Sequence, residues 1–418
     1  MQPHPHIREV HSPACLCCGA ALTRTFVDLG MSPLANNYIS PEKADLPDPV
    51  YPLHARVCNS CLLVQVDSVV PPEEIFSDYA YFSSYSESWL AHCKAYANAM
   101  MKRFGLGPQS KVIEVASNDG YMLQYFLELG IPVLGIDPAA NVAKVAQARG
   151  VPTEVAFFGV RTAQRLRARG EFADLLAAKN VLAHVPDIND FVRGVVTLLK
   201  PQGVFTVEFP HLLNLIKQVQ FDTIYHEHFT YLSLLAVERV FGRNGLRIFD
   251  VEEVPTHGGS LRVFACLKEA GHIETANVAR VRNKEVAARL DRPEGYEGFD
   301  QRVKAVRADL LAFLDRARSN GETVAAYGAA AKGNTLLNYC GICSDRIAFV
   351  ADRSSAKQNK LLPGSRIEIK PPEAIFERRP DYVLVLPWNL REEIEGQLSG
   401  IRDWGGRFVT AIPEIRVG

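Results

Sequence analysis

Lys111-Val-Ile-Glu-Val-Ala-Ser-Asn-Asp-Gly-Tyr121 is the stretch on which the fold of this 418-residue chain turns. Lys111 to Val115 is rich in β-branched apolar residues, Ala116 to Gly120 is small and polar, and Tyr121, Leu123, Phe126 and Leu127 then recur at helical spacing. The reading is strand, tight turn, helix. Such a turn aims backbone N–H groups from a helix start at a negatively charged part of a ligand, and Gly120 permits close approach. A second strand, Val133 to Ile136, ends in Asp137, the spacing at which a carboxylate meets ribose hydroxyls. Helix follows through Ala139 to Arg149, and strand-like runs at Ala173 to Ala177 and Val204 to Phe209 continue the alternation expected of a parallel sheet covered by helices.

Dinucleotide enzymes and S-adenosylmethionine enzymes share this physics, and the turn separates them. No G-x-G-x-x-G is present here, whereas Glu114, Ala116, Asn118 and Gly120 fit the methyltransferase pattern of an acidic residue followed by small ones at alternate positions. A short-chain dehydrogenase or epimerase would also carry Lys four positions after a Tyr, and none of the fourteen Tyr has one. The expected cofactor is therefore S-adenosylmethionine. Ala116 stands where Gly is usual and adds a methyl group beside the ligand.

Composition removes several alternatives. With 47% apolar and 22% charged residues and a net charge of −1, the chain reads as globular, with two or three domains and no basic field for nucleic acid or an anionic membrane. The start, Met1 to Val10, has no apolar core of a signal peptide, and no apolar run approaches the roughly 20 residues of a membrane span. The expectation is a cytoplasmic protein, a monomer or small homo-oligomer. In that reducing compartment nine Cys stay thiols, so clustered pairs suggest metal before disulfide. Cys15 and Cys18 form one C-x-x-C, Cys58 and Cys61 another, and two such knuckles close a tetrahedral shell around structural Zn²⁺. Cys17 is read as a bystander. Met31 to Asn36, between the knuckles, is expected to be a loop. Cys340 and Cys343 make a lone pair, read as helix-end packing.

Tyr225, His226, Glu227 and His228 place four proton-handling side chains together. Residues i and i+2 do not converge on one helix face and H-E-x-x-H is missing, so catalytic zinc is not expected there. Acid/base chemistry is. Farther on, Thr256 to Arg262 is a polar, Gly-containing turn compatible with a phosphate contact or a plain hairpin. Glu274 to Ser319 is helical, broken at Arg292 to Gly295. Short runs at Val324 to Tyr327, Ile347 to Val350, Tyr382 to Leu386 and Phe408 to Ile412 then alternate with helices, which predicts a second α/β domain. Its Gly328, Lys332, Gly333 and Asn334 suit phosphate, but packing against the central domain is the reading preferred.

Taken together, the Cys quartet, Glu114-Val-Ala-Ser-Asn-Asp-Gly-Tyr121, Thr223-Ile-Tyr-His-Glu-His-Phe-Thr-Tyr231 and Tyr327-Gly-Ala-Ala-Ala-Lys-Gly-Asn-Thr335 resemble the sugar C-methyltransferases of deoxysugar biosynthesis. The likeness spans nearly the whole chain. It implies an α/β protein with a zinc-binding module (1–70), a central S-adenosylmethionine domain of Rossmann-like form (71–292) and a C-terminal Rossmann-like domain (293–418). The implied reaction methylates the carbon beside the keto group of a nucleotide-linked 4-keto-6-deoxysugar. It implies that His228 is the base, with Tyr225 and Glu227 beside it, and that His184 and Tyr79 line the same pocket. Asn180 joins Glu114, Ala116, Asn118, Gly120 and Asp137 on the cofactor side. O- or N-methylation of another small metabolite, and a zinc-containing binding protein without activity, stay open as alternatives.

Overall fold

The computed structural model describes residues 13–67, 70, 83–85 and 87–418, with only the backbone at 85 and 88. Among them the chain builds three sheets. The first begins with β1 (Arg24–Pro33), β2 (Val50–Val57) and β3 (Val64–Val66), joined antiparallel. Met31 to Pro33, expected in a loop, belong to β1, because register shifts let Met31, Ser32 and Pro33 reach Pro52, Tyr51 and Val50. The loop proper starts at Leu34.

The second sheet takes β4 (Val112–Val115), β5 (Val133–Asp137), β6 (Thr153–Val155), β7 (Ala173–Lys179) and β8 (Leu199–Pro210), all parallel. Every residue of β4 and β5 is buried, as strands covered on both faces require. The chain then leaves this sheet: β9 (Thr230–Tyr231) pairs with β3 of the first one. It returns as β10 (Leu246–Val254) and β11 (Ser260–Leu267), which add antiparallel in the order β10-β11-β8-β7-β4-β5-β6. The expected parallel sheet is thus mixed at one edge. The turn between β10 and β11 is too short for a crossover and permits only a hairpin.

The third sheet holds β12 (Val324–Tyr327), β13 (Val350–Ala351), β14 (Ile369–Lys370), β15 (Tyr382–Val385), β16 (Arg407–Thr410) and the antiparallel β17 (Arg416–Val417), in the order β14-β13-β12-β15-β16-β17. The helical region before it forms Ala276–Ala287 and Phe299–Ser319, separated by a short 3₁₀ turn at Pro293–Tyr296, in line with the break read from the sequence.

Two features of this topology position the site. In both α/β sheets the strand order reverses beside the first strand, at β4 with β5 and β7 on its flanks and at β12 with β13 and β15, and ligands of open sheets enter such crevices at the carboxyl ends. The first sheet, meanwhile, shares cores with both its neighbours. The Cys quartet packs into the apolar cluster of the second sheet, and Phe26 of β1 stacks on Phe299 with ring centres 4.4 Å apart. Because β9 follows His228 by one residue, its pairing with β3 ties the His-Glu-His segment to the cysteine module. Among the described residues no helix is long and apolar enough to cross a membrane.

Candidate active site

The turn after β4 is held in an uncommon backbone conformation: Ala116, Asn118 and Gly120 all have positive φ, 55°, 49° and 79°. Two non-glycine residues in that region mark stored strain, which clusters at ligand sites. Gly120 is required on packing grounds as well, since a Cβ there would lie 2.9 Å from Val151 Cγ2. Asp137 caps β5 and braces the turn. Its Oδ2 accepts from Asn118 N and its Oδ1 from Ala139 N, both at 2.9 Å, while burial pushes its carboxyl up to about 6 against those donors. Glu114 is fully buried beneath, well above the ordinary carboxyl range through burial, with Tyr121 opposing the shift. Ser83 N donates to Asn118 Oδ1 at 3.0 Å, and Ser84 Oγ donates to Asp119 Oδ2, so the segment before the helix Glu87–Phe104 closes onto the turn. Behind it, burial opposes the charge of Glu208, yet Lys179, His92 and Arg262 hold it well below the usual range. That buried cluster stiffens the floor between β7, β8 and β11.

Loops from the carboxyl ends bring the histidines together. His184 ends a short 3₁₀ turn after β7, and its Nδ1–H donates to the Glu227 carbonyl at 2.7 Å. His228 Nδ1–H donates to the Thr223 carbonyl at 2.8 Å. A carbonyl can only accept, so both rings are fixed as the Nδ1–H tautomer and His228 keeps its Nε2 lone pair. The two ring centres are 4.6 Å apart, and the Tyr225 ring lies 4.0 Å from that of His228. Burial lowers His184 to about 4, and burial together with His184 lowers His228 well below its ordinary value. Both imidazoles are neutral at neutral pH. Ring orientation of His228 comes from a backbone carbonyl, whereas the adjacent carboxyl of Glu227 turns elsewhere: its Oε1 accepts from Asn36 Nδ2 at 2.6 Å. Burial pushes Glu227 up to about 7, with Asn36 opposing. His226 leaves the cluster altogether, donating from Nε2 to the Pro52 carbonyl at 3.2 Å beside Tyr51. Tyr79 lies outside the described residues.

Sequence reasoning missed His257, Trp388 and Asp222 as members of this site and offered Lys332 to phosphate alone. His257, read only as part of a turn, has φ 54° and accepts at Nε2 from Asn180 Nδ2 at 3.0 Å, with Trp89 packed 5.7 Å away. From the third sheet, Lys332 donates to Asn389 Oδ1 at 2.6 Å and lies 4.7 Å from the Trp388 ring centre. Trp388 Nε1–H donates to Asp222 Oδ2 at 2.8 Å, and burial raises Asp222 to about 6, with Lys332 opposing. The Lys332 ammonium adds to the field that keeps His228 and His257 neutral. His228, His257 and Lys332 thus lie within electrostatic reach of one another, and the Leu34–Tyr38 loop reaches the same segment through Asn36 and Glu227.

The Cys quartet forms the first sheet's outer end. The Sγ atoms of Cys15, Cys18, Cys58 and Cys61 all lie within 4.8 Å of one another, with Cys15–Cys61 at 3.4 Å and Cys18–Cys58 at 3.5 Å. A tetrahedron with Zn–S bonds of about 2.3 Å has edges of roughly this length. Cys58 Sγ also accepts from Ser60 N and Cys61 N, which orients its lone pairs inward. Cys17 is buried but is not one of the four.

Comparison with known proteins agrees with this geometry. A model described as a zinc binding domain matches residues 15–76, one described as a methyltransferase domain matches 89–251, and one described as the C-methyltransferase C-terminal domain matches 255–413. C-methyltransferase NovU of Streptomyces niveus is 38% identical over 403 residues, 96% of each chain. The chain belongs to the sugar C-methyltransferase family. Other similarities cover less: the ubiquinone biosynthesis O-methyltransferase of Bartonella bacilliformis is 27% identical over 107 residues, 25% of this chain and 43% of that protein. Among solved structures the PH0226 protein of Pyrococcus horikoshii OT3 covers 47% of this chain and 98% of its own, at TM-score 0.38 and 17% identity.

As a member of the sugar C-methyltransferase family, the chain is an S-adenosylmethionine-dependent C-methyltransferase. The residues fit that cofactor: among the described residues, buried Ser117 Oγ, Asp119 Oδ1 and Asn180 Oδ1 have no hydrogen-bond partner, beside a strained turn with an acidic residue at the next strand end. Asp137→Asn is expected to weaken cofactor binding at least about tenfold, because a buried carboxylate that organises the turn becomes an amide with one donor facing a backbone N–H. Calorimetric titration with S-adenosylhomocysteine checks this, and unchanged affinity would remove Asp137 from the cradle.

Proposed function

We propose that this C-methyltransferase acts on the carbon adjacent to the keto group of a nucleotide-linked 4-keto-6-deoxysugar, with His228 as the base that forms the enolate. The observation that supports it most is the fixed tautomer of His228: its Nδ1–H is committed to the Thr223 carbonyl, which leaves the Nε2 lone pair to accept a proton. A C–H beside a ketone needs a base within hydrogen-bond reach and a partner for the oxygen that takes up the electron pair. His228 Nε2 accepts the proton, the C–H electron pair moves onto the ketone as enolate, and Thr223 holds the ring as it becomes imidazolium. A depressed starting pKa makes His228 a weak base at first, and the growing enolate charge raises it as the proton moves. Tyr225 is assigned as the hydroxyl donor to the keto oxygen, and Tyr79 and His184 are assigned to the same pocket. Glu227 is assigned to substrate contact, and Glu114, Ala116, Asn118, Gly120, Asp137 and Asn180 to the cofactor. The bound cofactor supplies an electrophilic methyl group, and placement in line with the carbon nucleophile is the remaining requirement.

The reading includes structural Zn²⁺ at Cys15, Cys18, Cys58 and Cys61, and units at 1–70, 71–292 and 293–418 in a cytoplasmic enzyme. Its test is incubation with methyl-labelled S-adenosylmethionine and a panel of dTDP-, GDP- and CDP-linked 4-ketosugars, followed by NMR of the products. A carbon-bound methyl beside the ketone is expected with at least one of them. A methyl ether, or methylation only of non-sugar metabolites, would overturn the substrate assignment.

A further inference from the structure

We propose that Asn36 is a positioning residue for methyl transfer: through Glu227 it makes the cysteine module part of the active site. The inference rests on the reading of His226–His228 as the reaction centre.

After β1 ends at Pro33, the chain runs between the His-Glu-His segment and the loop following β12. Asn36 Nδ2 donates to Glu227 Oε1 at 2.6 Å, and Tyr38 OH, 3.2 Å from Asn36 Oδ1, donates its one proton to the Ala329 carbonyl at 2.6 Å. An ionised carboxylate can only accept, so the amide nitrogen has to face it, and that contact sets the orientation of Asn36. The loop itself is pinned by its backbone. Asn334 Nδ2 donates to the Ala35 carbonyl at 2.6 Å, and Ile39 exchanges two backbone hydrogen bonds with Leu361 at 2.9 and 2.8 Å. Asn36 thus hangs from two anchored points, one on either side.

Glu227 is only 5% exposed, and burial works against its charge. An amide N–H donor stabilises the ionised form and fixes the torsion of the carboxyl group. With Oε1 committed to Asn36, any contact with substrate falls to Oε2. The Glu227 carbonyl meanwhile receives His184 Nδ1–H, so one residue links the side chain from the first sheet to a ring of the histidine pair. The charged and titratable groups around it are His184 and His228 on its own side and, beyond Tyr38, Lys357, whose Nζ donates to the same Ala329 carbonyl at 2.8 Å and lies 3.8 Å from Asp352. None of these donates to the Glu227 carboxyl group; Asn36 does. Asn36 meets Glu227 across 191 positions of sequence, so the first sheet holds the His-Glu-His segment through this amide as well as through β9.

The test compares Asn36→Asp, which keeps the shape and turns the donor into an acceptor, with Asn36→Leu and Glu227→Gln. Zinc content, melting temperature and S-adenosylhomocysteine affinity report folding, while kcat, KM and the pH profile of kcat report positioning. For both Asn36 variants we expect wild-type zinc content and cofactor affinity, kcat lower by about 10- to 100-fold, and the limb of the profile that Glu227→Gln abolishes displaced to higher pH. Wild-type kcat and profile in both Asn36 variants, with Glu227→Gln impaired, would overturn the role of Asn36 while leaving the site assignment intact. Full activity in all three would instead remove the His-Glu-His reading on which it rests. A fall in kcat accompanied by lost zinc and lost cofactor affinity, with no movement of the profile in Asn36→Asp, would assign Asn36 to folding and equally overturn the proposal.

Discussion

His228→Ala is expected to lower methyl transfer by about 100- to 10,000-fold, the range for loss of a general base, and to leave S-adenosylhomocysteine affinity unchanged. Affinity should survive because the cofactor cradle hangs on β4, β5 and Asp137, while His228 contacts the Thr223 carbonyl and the rings of His184 and Tyr225. The fold should survive too, because the His-Glu-His segment stays anchored through β9 and the His226 bond to Pro52. His228→Asn makes the argument sharper. Its Nδ2 takes the place of Nδ1 and can still donate to the Thr223 carbonyl, yet it has no nitrogen lone pair to accept a proton, so it should be nearly as inactive as Ala. Turnover within threefold of wild type in either variant would take the base role from this residue.

Removal of the metal should produce the second large effect. We expect about one zinc per chain by elemental analysis, and Cys58→Ser to lose it and to melt the first sheet, with activity falling in step. The four Sγ atoms lie within 4.8 Å of one another, a spacing that one cation bound to four thiolates fits. Zinc binding in small domains contributes roughly 10–16 kcal/mol at neutral pH, so a module built around the four sulfurs has little stability without it. Activity follows because β3, held by the second knuckle, is the strand against which β9 fixes the segment after His228. Cys17→Ser supplies the contrast and should retain both zinc and activity. Equal loss in the Cys17 and Cys58 variants would contradict the four-sulfur shell.

What could be read from the sequence was local. The turn after β4 was legible because Gly120 sits where a Cβ would strike Val151, and because Glu114 and Asp137 are strand-end carboxylates at fixed spacing. The cysteine knuckles were legible for the same reason: each is four residues long. The antiparallel edge was legible only as one of two readings of the Thr256 to Arg262 turn, since β11 is a buried run like its parallel neighbours and the short connection alone tells them apart. Nor was Met31 to Pro33 recognisable as strand, because bulges, rather than residue pattern, bring these positions into register. Asn36, Asp222, His257 and Trp388 escaped notice because their partners lie on other elements, and Lys332, read as suited to phosphate, gives no sign in its Gly- and Ala-rich surroundings that Trp388 and Asp222 converge on it. The direction of Glu227 illustrates the same limit. Adjacent in sequence to two histidines, it spends its carboxylate on an asparagine from the first sheet.

The claim that most else depends on is that one imidazole meets both the acidic C–H and the methyl donor. A crystal structure of the enzyme with S-adenosylhomocysteine and its nucleotide-linked ketosugar tests it directly. The account predicts His228 Nε2 about 3–3.5 Å from the carbon beside the ketone, with the cofactor sulfur facing that carbon from the opposite side. A complex in which this nitrogen is remote from the carbon, or in which another side chain fills that position, would contradict it.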